Sequence, residues 1–207
     1  AVIETVTREN ELDIFLCADT DRPKFVELHW DTTEDGDALV LGDAWERSYG
    51  ELEFRSVADN DRVMPWYFIA TNKKTSFCFG VKTQPNSFVA FRYNENGITA
   101  IVDCRNGGCG VHLNGRKPCL ATFVVEEYDK AVILAFRKDY LIKVCIETRL
   151  PNEKIYGANN WYYAYGKSSH EEIISDTKFV KRLTQGCQNV PYMVIDDGWQ
   201  PNPTDAP

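Results

Sequence analysis

The sequence is short of histidine, with three, and of methionine, with two, in 207 residues. It has no long apolar run: Ala131-Val132-Ile133-Leu134-Ala135-Phe136 is among the longest, far below the ~20 residues that a membrane-spanning helix needs. It also lacks an excess of positive charge. Lys and Arg total 23 against 31 Asp and Glu, a net charge of −8, which argues against a phosphate backbone or an anionic bilayer as partner. No charged-then-apolar leader opens the chain, and no repeat or low-complexity segment interrupts it. A P-loop, a dinucleotide fingerprint and a Ser-His-Asp order are likewise missing. These absences exclude several classes and lead to an expectation of a cytoplasmic protein with neither nucleic acid nor membrane as partner. Residue 1 is alanine rather than methionine, which leaves the native start open.

What is present suits a packed core: 43% hydrophobic and 13% aromatic residues. The seven cysteines (Cys17, Cys78, Cys104, Cys109, Cys119, Cys145 and Cys187) are odd in number, and most sit in apolar, strand-like contexts. They read better as reduced thiols packed as small hydrophobes than as a secreted disulfide framework. Cys104, Cys109, His112 and Cys119 follow the order C-x4-C-x2-H-x6-C, which is not a standard zinc spacing, so no metal is expected. Acids crowd the region from Asp31 to Glu53 without the fixed spacing of a calcium loop, and read as a solvated face.

Residues 1–150 alternate polar and apolar residues in short runs. Strands are expected over 2–7, 12–16, 24–30, 38–41, 51–55, 66–71, 76–82, 88–93, 98–103, 119–126 and 132–147, with no convincing long helix. Turn signals separate them at Thr33-Glu34-Asp35-Gly36-Asp37, Asn94-Glu95-Asn96-Gly97, Arg105-Asn106-Gly107-Gly108 and Leu113-Asn114-Gly115. The fold class this implies is mainly β, a large antiparallel sandwich.

The pattern changes over 151–207. Ile155-Tyr156-Gly157-Ala158-Asn159-Asn160-Trp161 reads as a strand ending in polar residues and an indole. Ser168-Ser169-His170-Glu171-Glu172 is a capping-box start, and Ile173, Thr177, Val180 and Thr184, with Ile174 and Leu183 alongside, mark one helix face. A strand through Ile195 follows, giving a βαβ unit and hence parallel strands. A parallel pair needs both faces covered, and a full β/α barrel takes about 250 residues. The expected organisation is a β-sandwich at 1–150 and, at 151–207, the first β-α-β of a truncated barrel.

The last strand ends in Ile195-Asp196-Asp197-Gly198-Trp199. Two neighbouring acids at a strand end suit hydroxyl recognition, since carboxylates accept hydrogen bonds from a sugar while an indole covers its apolar face. A structural cap or turn is the other reading of the acids, core packing that of Trp161, and packing under the loop that of Trp199. Trp45, Glu46 and Arg47 place an aromatic beside both charges in an expected loop. They read either as a turn held by a surface ion pair or as a loop reaching a barrel mouth, that of a neighbouring subunit included.

Tyr156-Gly157-Ala158-Asn159-Asn160-Trp161, followed by Ile195-Asp196-Asp197-Gly198-Trp199-Gln200, resembles the α-galactosidase and raffinose-synthase clan of glycoside hydrolases. Gly42-Asp43-Ala44-Trp45-Glu46-Arg47-Ser48-Tyr49-Gly50, and Arg105-Asn106-Gly107-Gly108 with Gly110-Val111, look like sandwich motifs of that clan. The resemblance implies an N-terminal sandwich before a catalytic barrel, no cofactor, and a galactose-containing oligosaccharide as substrate. It also implies that the sandwich takes part in a homo-oligomer. Asp196 and Asp197 would bind the 4- and 6-hydroxyls of galactose, with Trp161 as an apolar wall and Trp199 nearby. The nucleophile and acid would come from later barrel strands. Asp196 and Asp197 are adjacent on one strand and cannot flank a glycosidic bond, so no catalytic residue is expected in this chain. Hydrolysis and galactosyl transfer are not separated by these residues. A self-contained glycan-binding or assembly module is the other class, disfavoured because it has no use for Asn159–Trp161 and Asp196–Trp199 at barrel spacing.

Overall fold

The computed structural model describes residues 1–32, 37–47, 49–72, 74–105, 107–129, 133–145 and 147–199, and of 133–138 the backbone alone. The turn expected at 33–36, the start of the strand expected from Val132, Asn106 and Gln200 lie outside the described residues. The chain divides into two compact units, Ala1–Thr148 and Arg149–Pro207.

The first unit is mainly β, as its alternation implies. Its strands are β1 (Val2–Arg8), β2 (Glu11–Cys17), β3 (Phe25–Trp30), β4 (Leu39–Gly42), β5 (Arg55–Ser56), β6 (Met64–Pro65), β7 (Tyr67–Thr71), β8 (Thr75–Val81), β9 (Phe88–Asn94), β10 (Gly97–Asp103) and β11 (Cys119–Asp129). They form two antiparallel sheets, β1-β2-β11-β8-β7-β4-β5 and β3-β10-β9-β6. The inward-facing residues of both sheets share one apolar core, so the arrangement is sandwich-like. Aromatic rings join the two layers. Phe68 and Phe79 of the large sheet stack at 5.8 Å and 2°, and Phe91 of the small sheet meets them at 5.7 and 5.3 Å. Trp30 on β3 lies 5.1 Å from Phe79. The hairpin between β9 and β10 turns through Gly97 at φ 109°, a left-handed backbone that other residues rarely adopt. A Cβ there would also collide with the Trp30 carbonyl oxygen.

Three expectations for the first unit need correction. The strand expected over 132–147 is a helix, α1 (Ile133–Val144). Its apolar residues Phe136, Tyr140 and Val144 recur every fourth position, which is helical spacing. The structure also supplies the need for it. β7 and β8 bury consecutive residues, so both faces of the large sheet want cover. Tyr140 and Val144 pack there against Ile69, Cys78 and Val124, and the Tyr140 hydroxyl donates to the Val124 carbonyl at 3.0 Å. Gly80 makes room for that hydroxyl, since a side chain at this position would collide with it.

The strand expected over 51–55 survives only at its last residue. The Arg62 guanidinium donates to the carbonyls of Glu51 and Glu53 at 2.9 Å each, so a side chain takes acceptors that a neighbouring strand would otherwise use. The strand expected over 66–71 begins at Tyr67, because Trp66 sits at φ 69° and breaks the run between β6 and β7.

The second unit contains β12 (Gly157–Asn159), α2 (Trp161–Ala164), α3 (His170–Leu183) and β13 (Tyr192–Val194). β12 is thus much shorter than the strand expected over 155–161. Ser169 caps α3 in a full capping box: its hydroxyl accepts from the Glu172 N–H while the Glu172 carboxylate accepts from the Ser169 N–H. β12 and β13 pair in parallel, with Gly157 opposite Tyr192, Ala158 opposite Met193 and Asn159 opposite Val194. The half-buried face of α3 carries Ile173, Asp176, Val180 and Thr184, whereas Ile174 and Leu183 are exposed. Neither helix of this unit buries a side chain fully. Ile155, Leu183, Val190, Tyr192, Ile195 and Trp199 are all at least half exposed. A parallel pair open on this scale is a packing element without its cover.

Candidate functional site

Of the residues singled out from the sequence, Trp161, Asp196 and Asp197 gather where β12 and β13 end. Both strands run in the same direction, so their C-terminal ends lie side by side. Two asparagines join these ends. The Asn159 amide donates to the Asp196 carboxylate at 2.7 Å, and its carbonyl oxygen accepts the Trp161 N–H at 2.7 Å. Asn160 is 1% exposed, and its side-chain oxygen accepts the Asp196 N–H at 3.0 Å. Asn159 therefore links the Asp196 carboxylate to the backbone of Trp161, 35 positions apart in the chain.

The two acids differ. Asp196 also accepts the Asp197 N–H at 2.8 Å. The Asn159 amide, and after it the Asp197 N–H, hold its carboxyl below the usual carboxylate range. It is thus ionised at neutral pH, an acceptor rather than a proton donor. Asp197 is exposed, and no hydrogen bond to its carboxylate is present among the described residues. This pair can offer one fixed and one unengaged carboxylate to a row of hydroxyls.

Trp161 is half-buried and starts α2, with its ring 5.9 Å from Tyr165 in an edge contact. Trp199 is 67% exposed. The loop bearing it presses on the loop after α2 through two glycines, Gly166 at φ 76° and Gly198 at φ 89°. A Cβ on Gly198 would collide with the Gly166 backbone. Gly198→Ala should therefore lower the stability of this unit by about 2 kcal/mol, from backbone strain and forced separation of the loops. A fall in its thermal midpoint by circular dichroism, larger than that for Gly186→Ala, checks this. Gly186 is also at positive φ but has open space around it.

Other contacts position the frame. The Tyr163 hydroxyl donates to Asp176, tying α2 to α3, and this carboxylate pushes the phenol up to about 12. At the opposite end of the strands the Tyr156 hydroxyl donates to the Asn189 carbonyl, and the Asn189 amide donates to the Lys154 carbonyl at 2.9 Å. A crevice of about 350 Å³ in this unit lies along β12, α2 and α3, lined by Tyr156, Ala158, Tyr163, Phe179 and Met193 rather than by the acids.

Trp45, Glu46 and Arg47 belong to the first unit. Arg47 grips Asp43 with two hydrogen bonds, 2.8 and 2.6 Å, and the Ala44 N–H donates to the same carboxylate at 2.9 Å. This is a turn held by an ion pair, with Asp43 rather than Glu46 as the anion. The Glu46 carbonyl accepts the Tyr49 N–H. Trp45 is exposed and stacks on Phe88.

All seven cysteines are free thiols. Burial pushes the Cys104 thiol up to about 11 and that of Cys78 further up. His112 accepts a hydrogen bond from the Arg22 guanidinium at 2.6 Å. Among the described residues no three His, Cys, Asp or Glu side chains converge to hold a metal ion, and no helix is long and apolar enough to cross a membrane.

Asn160 is the residue whose part the sequence hid. A buried polar side chain that receives a backbone N–H from the next strand looks, in sequence, like any turn asparagine. Compared with protein-family models and with curated proteins, the chain matches none.

Proposed function

We propose that this chain is the N-terminal portion of a retaining α-galactosidase-type glycoside hydrolase acting on terminal α-linked galactose. The observation that carries this reading is the linked pair of strand ends: adjacent acids just after β13, bound through Asn159 to the start of a helix that opens with Trp161. Ligands of β/α barrels bind at the C-terminal ends of parallel strands, and these residues sit at two such ends. The uncovered faces of β12, β13 and α3 support further β/α units that complete a barrel around them.

In this reading the acids recognise and do not catalyse. Asp196, kept ionised by Asn159, and Asp197, with its carboxylate unengaged, accept hydrogen bonds from the 4- and 6-hydroxyls. Trp161 lies against the apolar face of the ring, with Trp199 near it. An acceptor shut off from water by bound substrate penalises an epimer whose hydroxyl points elsewhere, because the acceptor is then left unpaired. The nucleophile and the acid stand about 5–5.5 Å apart in a retaining enzyme. Asp196 is held by the Asn159 amide and the Asp197 N–H just past β13, so the nucleophile and acid are assigned to later strands of the same polypeptide. Galactosyl transfer to a sugar acceptor uses the same subsite. No cofactor or metal is required, and the sandwich-like unit is assigned to assembly as a homo-oligomer.

Two assays test this together. The full polypeptide that carries these residues should hydrolyse an aryl α-galactoside, and the 207-residue chain by itself should not. Turnover by the pure 207-residue chain, blocked by a galactose-type inhibitor, overturns the division of labour; no turnover by the full polypeptide overturns the assignment.

A further inference from the structure

The first unit holds a hollow of about 1200 Å³, lined by Trp66, Asn86, Ser87, Phe88, Asp103 and Arg105 among others. None of the residues assigned to the galactose subsite lines it. We propose that it is a separate glycan-binding site, taking a neutral oligosaccharide of pyranose units.

Two aromatic rings, Trp66 and Phe88, line this hollow, and Trp45 packs against both of them. Trp45 stacks on Phe88 at 5.2 Å and 22°, Trp66 meets Phe88 at 4.8 Å, and Trp45 meets Trp66 at 6.4 Å. Trp45 is 56% exposed and Phe88 52%, so two large rings present apolar surface to water beside a concavity. Scattered exposed aromatics need no explanation, but a stacked group on a cavity rim does. Such a surface suits the apolar face of a sugar ring.

The backbone supplies a second, independent observation. Trp66 holds φ 69°, a left-handed conformation that costs a bulky residue on the order of 1–3 kcal/mol. Hydrogen bonds on both sides fix it there: its N–H donates to the Val89 carbonyl at 3.1 Å, and its carbonyl accepts the Val81 N–H at 3.0 Å. That conformation holds the Trp66 indole at the hollow.

The polar lining is rigid. Arg105 grips Asp103 through contacts of 2.7, 3.0 and 3.1 Å while lying 4.6 Å over the Phe25 ring. The Asn86 amide and the Ser87 hydroxyl each donate to a β11 carbonyl at 2.8 Å, which fixes both side chains while their oxygens keep lone pairs for a ligand. The cations are already engaged: Arg105 with Asp103, Lys117 with Glu4, and Arg116 with the carbonyls of Leu113 and His112. Fixed donors and acceptors with charges mostly compensated, beside flat rings, match a row of hydroxyls better than an anion.

The test uses the 207-residue chain, titrated by calorimetry with maltohexaose, with a galactose-branched mannan oligosaccharide and, as an anionic probe, with a polygalacturonate oligosaccharide. At least one neutral probe should bind saturably. Trp45→Ala and Phe88→Ala should each weaken it tenfold or more, and Trp45→Tyr should keep most of it, which separates a lost ring from a lost fold. Asp197→Ala should leave this affinity unchanged, so the result stands or falls apart from the galactose subsite. No binding of either neutral probe overturns the proposal. So does affinity indifferent to Trp45→Ala, and so does binding of the anionic probe alone that disappears at high salt.

Discussion

Alanine at Asp197 is expected to lower kcat/KM of the full polypeptide for an aryl α-galactoside by about 10²–10³-fold, with little change in its thermal midpoint. A hydrogen bond to a charged acceptor contributes about 1.5–3 kcal/mol, so losing the contacts of one carboxylate to galactose hydroxyls costs roughly 3–4 kcal/mol in the transition state. Asp197 is the cleaner of the two positions. It is exposed and its carboxylate holds no neighbour in place among the described residues, so its removal acts on substrate alone. Asp196→Ala should cost at least as much activity and also lower stability. It releases the Asn159 amide and the Asp197 N–H, and with them the link between the two strand ends. The two variants thus separate recognition from scaffolding. Unchanged kinetics in both would remove the acids from any substrate site.

Phe68→Ala should destabilise the first unit by about 3–5 kcal/mol, the range for emptying a large aromatic from a core. Phe68 is fully buried and touches four other rings, Phe77, Phe79, Phe91 and Tyr93, at 5.4–5.9 Å. Those rings come from both sheets, so they cannot close over the gap without the sheets moving together, and most of the cavity persists. A urea melt followed by near-ultraviolet circular dichroism should show the midpoint fall by about 2 M, taking a slope of about 2 kcal/mol/M. A change below 1 kcal/mol would mean that the two layers are not joined through this ring.

The strands of the first unit were legible because one face of most of them meets the core, which writes an alternation into β3, where Val26, Leu28 and Trp30 pack on the core and Glu27 and His29 lie between them. The helix at 133–144 was not, for a related reason. Its partner face on β7 and β8 is buried on both sides, so those strands read as continuous apolar runs and gave no sign of what covers them. The run at Glu51–Glu53 failed differently. It alternates like a strand, but Arg62, nine residues beyond it, binds its carbonyls, a long-range contact that no local pattern records. At the strand ends of the second unit the acids and Trp161 were visible as residue types. Asn160 was not, because its role depends on an N–H supplied 36 positions later. Trp66 also escaped, since a positive φ at tryptophan leaves no compositional trace.

The most direct measurement of the galactose subsite is the ratio of kcat/KM for an aryl α-galactoside to that for the matching α-glucoside, taken with the full polypeptide. The two substrates differ only at the 4-hydroxyl that Asp196 and Asp197 are proposed to read. A preference for the galactoside of about 10²-fold or more is expected, since a charged acceptor shut off from water by bound substrate loses about 1.5–3 kcal/mol for each hydroxyl contact it cannot make. Equal turnover of both epimers, or a preference for the glucoside, would contradict it.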